Sequence, residues 1–365
     1  MPVAEVLAVV TVGSEAGIRA RTVNRAASVR TDLRQSGFDS GIATKVALRL
    51  SLRRWLQTQA FLLIVELLVS SPRWLGFSLF ETPLALDTGA SMGAKLGCSG
   101  RHLSGFSLER IKSDVESYSA AAGVLSYREE GSTMFASAFG NEASATFRPG
   151  LGCTLNLGDT STLDQIELLA VAPDSSLPLR TNNHLQSLVD ELLQQDNAAG
   201  LDTRALVVVH KGAVATASYG EGINADTPLL GWSIGKSVTA MLIGRAAYLG
   251  KPLLEDVVPF PEWSGDARNT IRLGHLLTMT SGLDLNETYV VGTDSTRMLF
   301  LDPLVVTRPI ASPYGSSPGQ TFYYSSGTTN LLTTLLQRHL GSPQALYTFF
   351  DEELRKPLGL AHTTL

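Results

Sequence analysis

The sequence predicts a chain of the mixed α/β (α+β) fold class, in which a small module of short strands precedes a larger segment of helices and a β-hairpin. Its 365 residues are 44% hydrophobic and 17% charged, which is the composition of a globular chain with ample material for a core. Short β-like runs separated by glycine and proline dominate residues 106–181. From residue 182 onward, helical periodicity alternates with a pair of strands.

Residues 1–90 are predicted to form an N-terminal extension. Residues 1–60 are rich in arginine and weakly periodic, which suits a flexible arm, a targeting segment or an extension upstream of the true start. The apolar run 61–69 follows two arginines and resembles a signal sequence or a membrane anchor. However, Glu66 interrupts it, and a spanning helix needs about 20 apolar residues. An ordinary buried or interfacial helix is the alternative to membrane anchoring.

Residues 91–181 are predicted to form a small α+β module, with β-like runs at 132–139 and 143–147. They carry no recognisable catalytic motif. Cys98 and Cys153 bracket most of these runs, and a disulfide between them would stabilise the module by about 3–4 kcal/mol in the loop-entropy model. It would also imply an oxidising compartment. Two buried free thiols are the alternative, and we favour the disulfide.

A helix and a hairpin are predicted at the start of the segment 182–365. Asn182 and Asn183 can cap an amphipathic helix that ends near Gly200. Two strands, 205–210 and 213–219, flank the turn signal Lys211-Gly212 and predict a β-hairpin. Such a hairpin can serve as a rigid floor for the helix that follows.

The helix after the hairpin begins with Gly231-Trp-Ser-Ile-Gly-Lys236 and reaches about residue 250. Ser233 and Lys236 are three residues apart, so their side chains can meet on one face. A neutral lysine can take the proton of a serine hydroxyl and make it a nucleophile. Ser-x-x-Lys alone is a weak signal, because such a spacing is expected about once by chance. Without other evidence, we favour Ser233 as an N-cap and Lys236 as a solvated residue of the first turn.

Three further helices are predicted downstream. Residues 271–283 predict a short helix that Gly282 ends. His275 in that helix is interpreted as a core residue rather than a catalytic base. One helix is predicted after residue 325 and a last one from Pro343, which stops at Pro357.

Three segments in order resemble the penicillin-recognising serine hydrolases, the serine β-lactamase-like family. They are Gly-Trp-Ser-x-x-Lys-Ser-Val-Thr at 231–239, His-Leu-Leu-x-Met-Thr-Ser-Gly-Leu at 275–283 and Pro-Gly-x-x-Phe-x-Tyr-Ser at 318–325. The tryptophan before Ser233 and the Tyr-Ser-Ser triplet are most similar to the 6-aminohexanoate-dimer hydrolase-like group. The resemblance spans about 183–365 and implies a β-lactamase/transpeptidase-like domain with helices packed on an antiparallel sheet.

The resemblance also implies roles for individual residues. Ser233 would be the acylated nucleophile, with its backbone N–H in the oxyanion hole, and Lys236 would be its proton acceptor. Tyr324 would be the second acid/base group and would protonate the leaving amine or alkoxide. Alternatively, Tyr324 is an aromatic side chain that packs at the start of a helix.

Three residues are candidates for substrate binding. Ser326 occupies a place where many relatives have asparagine, so it could hydrogen bond to substrate or to Lys236. Trp232 precedes the nucleophile, and Tyr289 is a candidate wall of the pocket.

Relatives carry a third motif, Lys-Thr-Gly or His-x-Gly, on a strand beyond the position that corresponds to Leu365. Residues 182–365 are therefore expected to be the front part of a serine β-lactamase-like hydrolase domain in a longer protein. Without that strand a sheet edge would be exposed, and the chain could be inactive by itself.

The expected activity is hydrolysis of a small-molecule amide or ester, without metal or cofactor. The net charge of −5 and the scattered basic residues argue against nucleic acid, and the six histidines and two cysteines show no metal-ligand spacing. The expected location is the cell envelope, periplasmic or membrane-anchored. The first alternative is a non-catalytic penicillin-binding-like sensor of cell-wall fragments, and the second is a structural envelope protein. No pattern indicates an oligomeric state.

Overall fold

The computed structural model describes residues 8–9, 55–63, 65–66, 69–71, 73, 77–170, 177–250 and 260–364. The chain divides into two compact units. One is Ala16–Thr82, and the other comprises Met1–Glu15 and Pro83–Leu365. In the described part of the first unit, residues 55–63 are helical and Ser78 caps a 3₁₀ turn, Leu79–Glu81. The prediction for residues 1–60 falls largely outside the described residues, and the prediction for the apolar run 61–69 falls partly outside them.

The larger unit contains two antiparallel sheets with helices around them. From residue 82 onward the α-helices are α1 (Thr82–His102), α2 (Leu108–Tyr118), α3 (Asn183–Ala198), α4 (Ile234–Tyr248), α5 (Leu273–Leu277), α6 (Asp294–Phe300), α7 (Thr307–Ala311), α8 (Ser326–Leu340) and α9 (Pro343–Phe350). The strands are β1 (Ala8–Val9), β2 (Ser126–Glu130), β3 (Thr133–Ala138), β4 (Asn141–Arg148), β5 (Gly152–Leu155), β6 (Ala205–His210) and β7 (Ala213–Tyr219). The sheets have the strand orders β2-β3-β4-β5 and β1-β6-β7. The predicted mixed α/β class is confirmed. None of the described helices has the length and apolar character needed to cross a bilayer.

Helix α1 packs directly on the four-stranded sheet. Small residues let it approach closely: a Cβ added at Gly93 would lie 2.9 Å from Leu125 Cδ1 and 3.1 Å from Ala136 Cβ. The alternating burial of β3 shows that one face of this strand meets the helix. The buried core between helix and sheet consists of Ala94, Cys98, Met134, Ala136, Ala145 and Cys153.

Cys98 in α1 and Cys153 in β5 form a disulfide, with their Cα atoms 6.0 Å apart. Both residues are buried. The bond therefore links the helix to the last strand of the sheet that it covers. For a sequence separation of 55 residues, the loop-entropy model gives a stabilisation of about 4 kcal/mol. The oxidising compartment that such a bond implies stays a prediction.

Tyr127 in β2 carries a buried hydroxyl that has no hydrogen-bond partner within the described residues. Burial, with a smaller contribution from the charge of Glu116, raises the pKa of Tyr127 to about 12. An unfolded tyrosine ionises near pH 10, so the folded state loses stability as the pH rises from about 10 through 12. We expect Tyr127→Phe to leave the free energy of unfolding at pH 7 unchanged or about 1 kcal/mol higher, and to flatten its decline at alkaline pH.

Denaturant unfolding of both proteins at pH 7 and at several values above pH 9 measures this effect. The control is Tyr248→Phe, which removes a hydroxyl from an exposed ring on α4. An identical alkaline decline in the wild type and in Tyr127→Phe would contradict the prediction.

The hairpin β6-β7 forms with the predicted bounds. Lys211 and Gly212 adopt φ values of 50° and 71°, which are the left-handed conformations of a type I′ turn. Asn182 accepts a hydrogen bond from the backbone N–H of Leu185 and so caps α3, as predicted. Helix α3 packs on the hairpin through the buried residues Val189, Leu193 and Leu206. The two elements together form a packed unit that precedes α4 in the chain.

The largest core cluster holds α4 against α8. It comprises Leu242, Ile243, Ala246, Phe260, Trp263, Ile271, Leu273, Leu276, Leu283, Leu285, Leu331, Leu332, Leu335, Leu336, Phe349, Phe350 and Leu354. These residues come from α4, α5, α8 and α9 and from the segments between them. Because their side chains are buried against one another, the N-terminal ends of α4 and α8 have a fixed relative position.

The predicted helix at 271–283 is wrong in its length. Helix α5 ends at Leu277, well before Gly282. Met279 adopts a left-handed φ of 55°, and the backbone N–H of Thr280 donates to the carbonyl of His275 at 2.8 Å, so the chain turns away there. The Nδ1 atom of His275 accepts a hydrogen bond from the backbone N–H of Arg272 at 3.1 Å. His275 thus completes the first turn of α5.

Candidate active site

Ser233 lies at the N-cap position of α4 without acting as a cap. Its side chain makes no capping hydrogen bond. Instead, its Oγ accepts a hydrogen bond from the Nζ atom of Lys236 at 3.2 Å. The simple alternative, in which Ser233 serves only to cap the helix, does not describe this geometry.

The backbone before the helix explains how the two side chains meet. Three short-range hydrogen bonds start α4, among them Ile234 N–H to the Gly231 carbonyl at 2.8 Å and Lys236 N–H to the Ser233 carbonyl at 3.0 Å. In this tight first turn, two side chains that are three residues apart in sequence lie above each other. Trp232 has a positive φ of 40°, which is rare for a residue other than glycine. The chain therefore enters the helix at Ser233 through a sharp bend.

Lys236 is half-buried and makes polar contacts with hydroxyl groups. Besides Ser233, its Nζ donates to the Oγ of Ser326 at 3.1 Å. Within the described residues it forms no ion pair with a carboxylate. Lys236 is thus not the solvated first-turn lysine of the simple alternative.

Tyr324 and Tyr289 complete the cluster around the lysine. The Nζ of Lys236 lies 4.9 Å from the centroid of the Tyr324 ring, which is within range of a cation–π contact. The hydroxyl of Tyr289 hydrogen bonds to Ser326 Oγ at 2.9 Å. A continuous chain of hydrogen bonds therefore runs from Ser233 through Lys236 and Ser326 to Tyr289.

Burial is the main cause that raises the pKa of Tyr289. The hydrogen bond with Ser326 lowers it, while Glu287 and Tyr324 raise it further. A tyrosine with a raised pKa keeps its proton at neutral pH. Tyr289 can therefore donate that proton in its hydrogen bond to Ser326.

Glu287 organises the N-terminus of α8, a role that the sequence did not reveal. Its Oε1 accepts hydrogen bonds from Ser325 Oγ at 2.6 Å and from the backbone N–H of Gly327 at 3.1 Å. Ser325 in turn caps the helix by accepting from Thr328 N–H at 3.1 Å. A carboxylate at a helix N-terminus is electrostatically favourable, and here it locks the residues on both sides of Ser326. No local spacing signals this contact, because the partners are far apart in sequence.

The segment 275–283 holds the loop that carries Tyr324. Backbone N–H groups of the loop donate to carbonyls of this segment: Gly319 to Thr280 at 2.7 Å and Tyr323 to Met279 at 2.8 Å. The carbonyl of Gly282 accepts from both Gly315 and Ser316, at 2.8 and 3.0 Å. The segment 275–283 therefore has a structural role, because it positions the loop that carries Tyr324.

The structure thus brings five of the candidate residues together and separates the others. The cluster consists of Ser233, Lys236, Tyr324, Ser326 and Tyr289. Trp232 adjoins Ser233, but its ring packs edge to face on Tyr118, with centroids 6.0 Å apart. The disulfide Cys98–Cys153 belongs to the separate core of the four-stranded sheet. In the described ranges, no group of three or more His, Cys, Asp or Glu residues could hold a metal ion.

Comparisons with known proteins give a family match for the second half of the chain. Residues 185–365 match the family model described as Beta-lactamase. No curated protein matches the chain. Two similar solved structures are a candidate 6-aminohexanoate-dimer hydrolase from Bacillus anthracis and a candidate β-lactamase from Bacteroides dorei DSM 17855.

The first structure is 19% identical, with a TM-score of 0.40, and the match covers 50% of this chain and 54% of that one. The second is 23% identical, with a TM-score of 0.38, and the match covers 47% and 51%. The chain therefore spans about half the length of these structures. The family match suggests serine hydrolase activity. Residues 185–365 therefore match a β-lactamase-family domain, of the serine β-lactamase/transpeptidase-like type.

Proposed function

We propose that the protein is a serine hydrolase that cleaves an amide or ester bond through an acyl-enzyme on Ser233. One observation carries the proposal: the Nζ atom of Lys236 lies 3.2 Å from the Ser233 Oγ. Lys236 has only hydroxyl groups and an aromatic ring as the partners of its Nζ in the described structure. In this proposal Lys236 is the proton acceptor for the Ser233 hydroxyl.

In the first step, Ser233 Oγ attacks the carbonyl carbon of the substrate while its proton passes to Lys236 Nζ. The carbonyl oxygen then carries the negative charge of the tetrahedral intermediate. The backbone N–H of Ser233 donates to no described acceptor, and it lies at the N-terminus of α4. It is therefore free to donate to that oxygen.

In the second step, the bond to the leaving group breaks and an amine or alkoxide must receive a proton. We assign this protonation to the Tyr324 hydroxyl, because the Tyr324 ring adjoins Lys236 and lies half-exposed beside the nucleophile. The proton that Lys236 took from Ser233 replaces the one that Tyr324 gives up, so Lys236 is neutral again. Water then attacks the acyl ester while Lys236 takes a proton from it, and this proton passes to the Ser233 Oγ as the ester bond breaks and the acid leaves.

Three residues beside the reacting atoms are proposed to bind the substrate. Trp232 and Tyr289 are 51% and 59% exposed and flank Ser233 and Ser326 with aromatic surface. The Ser326 hydroxyl accepts hydrogen bonds from Lys236 and Tyr289, and its own O–H can donate one further hydrogen bond. Such a site suits a small amide or ester.

A fluorophosphonate probe tests this proposal, since it phosphonylates activated serines. The 365-residue chain, Ser233→Ala and Ser237→Ala are treated in parallel and analysed by intact mass. Ser237 is the matched control, because it is an exposed serine in the next turn of the same helix. We expect one adduct on the wild type and on Ser237→Ala, and none on Ser233→Ala.

An adduct that forms on Ser233→Ala at the wild-type rate would refute the assignment of the nucleophile. A folded wild-type chain without any adduct would also contradict the proposal for this chain. A stable adduct with an amide or ester substrate that turns over slowly would point to the sensor function instead.

A further inference from the structure

Tyr118 is the last residue of α2 and lies outside the family match, yet it contacts the residue next to the nucleophile. Its ring packs edge to face on Trp232, with ring centroids 6.0 Å apart and an interplanar angle of 62°. Both side chains are 51% exposed, and partial burial is the main cause that raises the pKa of Tyr118. Their contact is the edge-to-face packing of the two rings.

Trp232 needs such a contact because its backbone is in an unfavourable conformation. Its φ of 40° lies in the left-handed region, where a bulky residue persists only if its surroundings hold it. Its peptide group continues directly into the N–H of Ser233. A change in the Trp232 backbone would therefore reorient both the Ser233 N–H and the Ser233 Oγ.

The side chains around Tyr118 and Trp232 do not fill the space beside the two rings. A cavity of about 100 Å³ lies beside the aromatic pair. Its lining includes Tyr118 and Trp232 themselves, together with Phe106, Val115, Arg204 and Leu230. Beside this cavity, the edge-to-face packing on Tyr118 is the aromatic contact that the indole makes.

The loop that leads to Trp232 is also fastened to the residues around α2. Ser104 Oγ donates to the carbonyl of Pro228 at 2.7 Å, and Arg110 Nη1 donates to the carbonyl of Glu221 at 2.9 Å. Phe106 and Ile111 pack on Ile223 in the same loop. The approach to Ser233 is thus attached along its length to a part of the chain that precedes the family domain.

We propose that Tyr118 is a positioning residue for the hydrolase: it holds Trp232 in its left-handed conformation and thereby fixes the orientation of Ser233. This inference rests on the proposed function, in which Ser233 is the nucleophile. It assigns to the module before the β-lactamase domain a direct part in building the active site.

The test compares Tyr118→Ala, Tyr118→Phe and the control Tyr248→Ala. Tyr248 is an exposed tyrosine at the far end of α4, where its ring contacts Arg245. We expect Tyr118→Ala to lower the rate constant for fluorophosphonate labelling by about tenfold or more, because small misplacements of reacting groups are costly. Tyr118→Phe keeps the ring and should label within about threefold of the wild type. Tyr248→Ala should label at the wild-type rate.

A second readout follows Trp232 itself and does not need a reactive serine. Subtracting the fluorescence of the matching Trp232→Phe variant isolates the emission of this indole. In Tyr118→Ala the emission should shift to the red and acrylamide should quench it more strongly, whereas Tyr118→Phe and Tyr248→Ala should resemble the wild type. The rescue by phenylalanine separates positioning from a general loss of folding.

The outcomes distinguish the two proposals. Unchanged labelling or unchanged quenching in a folded Tyr118→Ala variant would overturn the positioning role. A wild-type chain that the probe does not label would remove the hydrolase assignment, while the quenching experiment would still show whether Tyr118 holds Trp232.

Discussion

Replacing Lys236 by methionine is expected to slow the phosphonylation of Ser233 by about 10³-fold. General-base assistance typically contributes about 10²–10⁴-fold, and methionine keeps a similar length without a nitrogen that can take the proton. The loss should be this large because Lys236 Nζ is the group that hydrogen bonds to the Ser233 Oγ in the described structure. Its other hydrogen bond, to Ser326, fixes the direction in which the lysine points.

The measurement is the rate of adduct formation, followed by intact mass at several probe concentrations. Lys112→Met is the control, since Lys112 is an exposed lysine on α2 whose nearest ionic partner is Glu116 at 4.0 Å. It should label like the wild type. If Lys236→Met retains a rate within about threefold of the wild type while remaining folded, Lys236 is not the base.

Gly282→Ala is expected to lower the free energy of unfolding by about 3 kcal/mol or more. Gly282 has a φ of 74°, and a Cβ added there would lie 1.9 Å from the carbonyl oxygen of Ser316. Backbone strain and overpacking each cost about 1–3 kcal/mol, and here the atom that must move belongs to backbone. The Gly282 carbonyl also accepts hydrogen bonds from the N–H groups of Gly315 and Ser316, in the loop that leads to Tyr324. This loop would therefore shift as well.

Denaturant unfolding measures the loss of stability, and the labelling rate of Ser233 reports the state of the site. Gly244→Ala is the matched control, because a Cβ at Gly244 in α4 would meet nothing within 4 Å. That variant should be neutral or more stable by up to about 1 kcal/mol, as for alanine in a helix. A Gly282→Ala protein as stable as the wild type would contradict the packing described around this glycine.

Much of the local structure was predictable because its causes lie within a few residues. The turn chemistry of Lys211-Gly212 predicts the hairpin, and Asn182 predicts the start of α3. The spacing of Ser233 and Lys236 predicts that they can touch, since neighbours three apart on a helix share a face. The length of α5 was not predictable in this way. Its end depends on hydrogen bonds between 275–283 and the loop before α8.

The contacts around Lys236, the proposed base, could not be predicted from the spacing of residues along the chain. Ser326 is 90 residues from Lys236 in sequence and Tyr289 is 37 from Ser326, so no spacing rule connects them. Glu287 at the start of α8 and Tyr118 beside Trp232 were missed for the same reason.

The fold class, the hairpin and the pairing of Ser233 with Lys236 could be predicted from the sequence, because periodicity, turn residues and helix geometry act over short distances. The tertiary structure decides which groups surround that pair, and of these the family resemblance had already suggested Tyr324, Ser326 and Tyr289. The large core between α4 and α8 places Ser326 and Tyr289 against Lys236, and the packing of the preceding module places Tyr118 against Trp232. These contacts arise only when distant segments bury their apolar surfaces together.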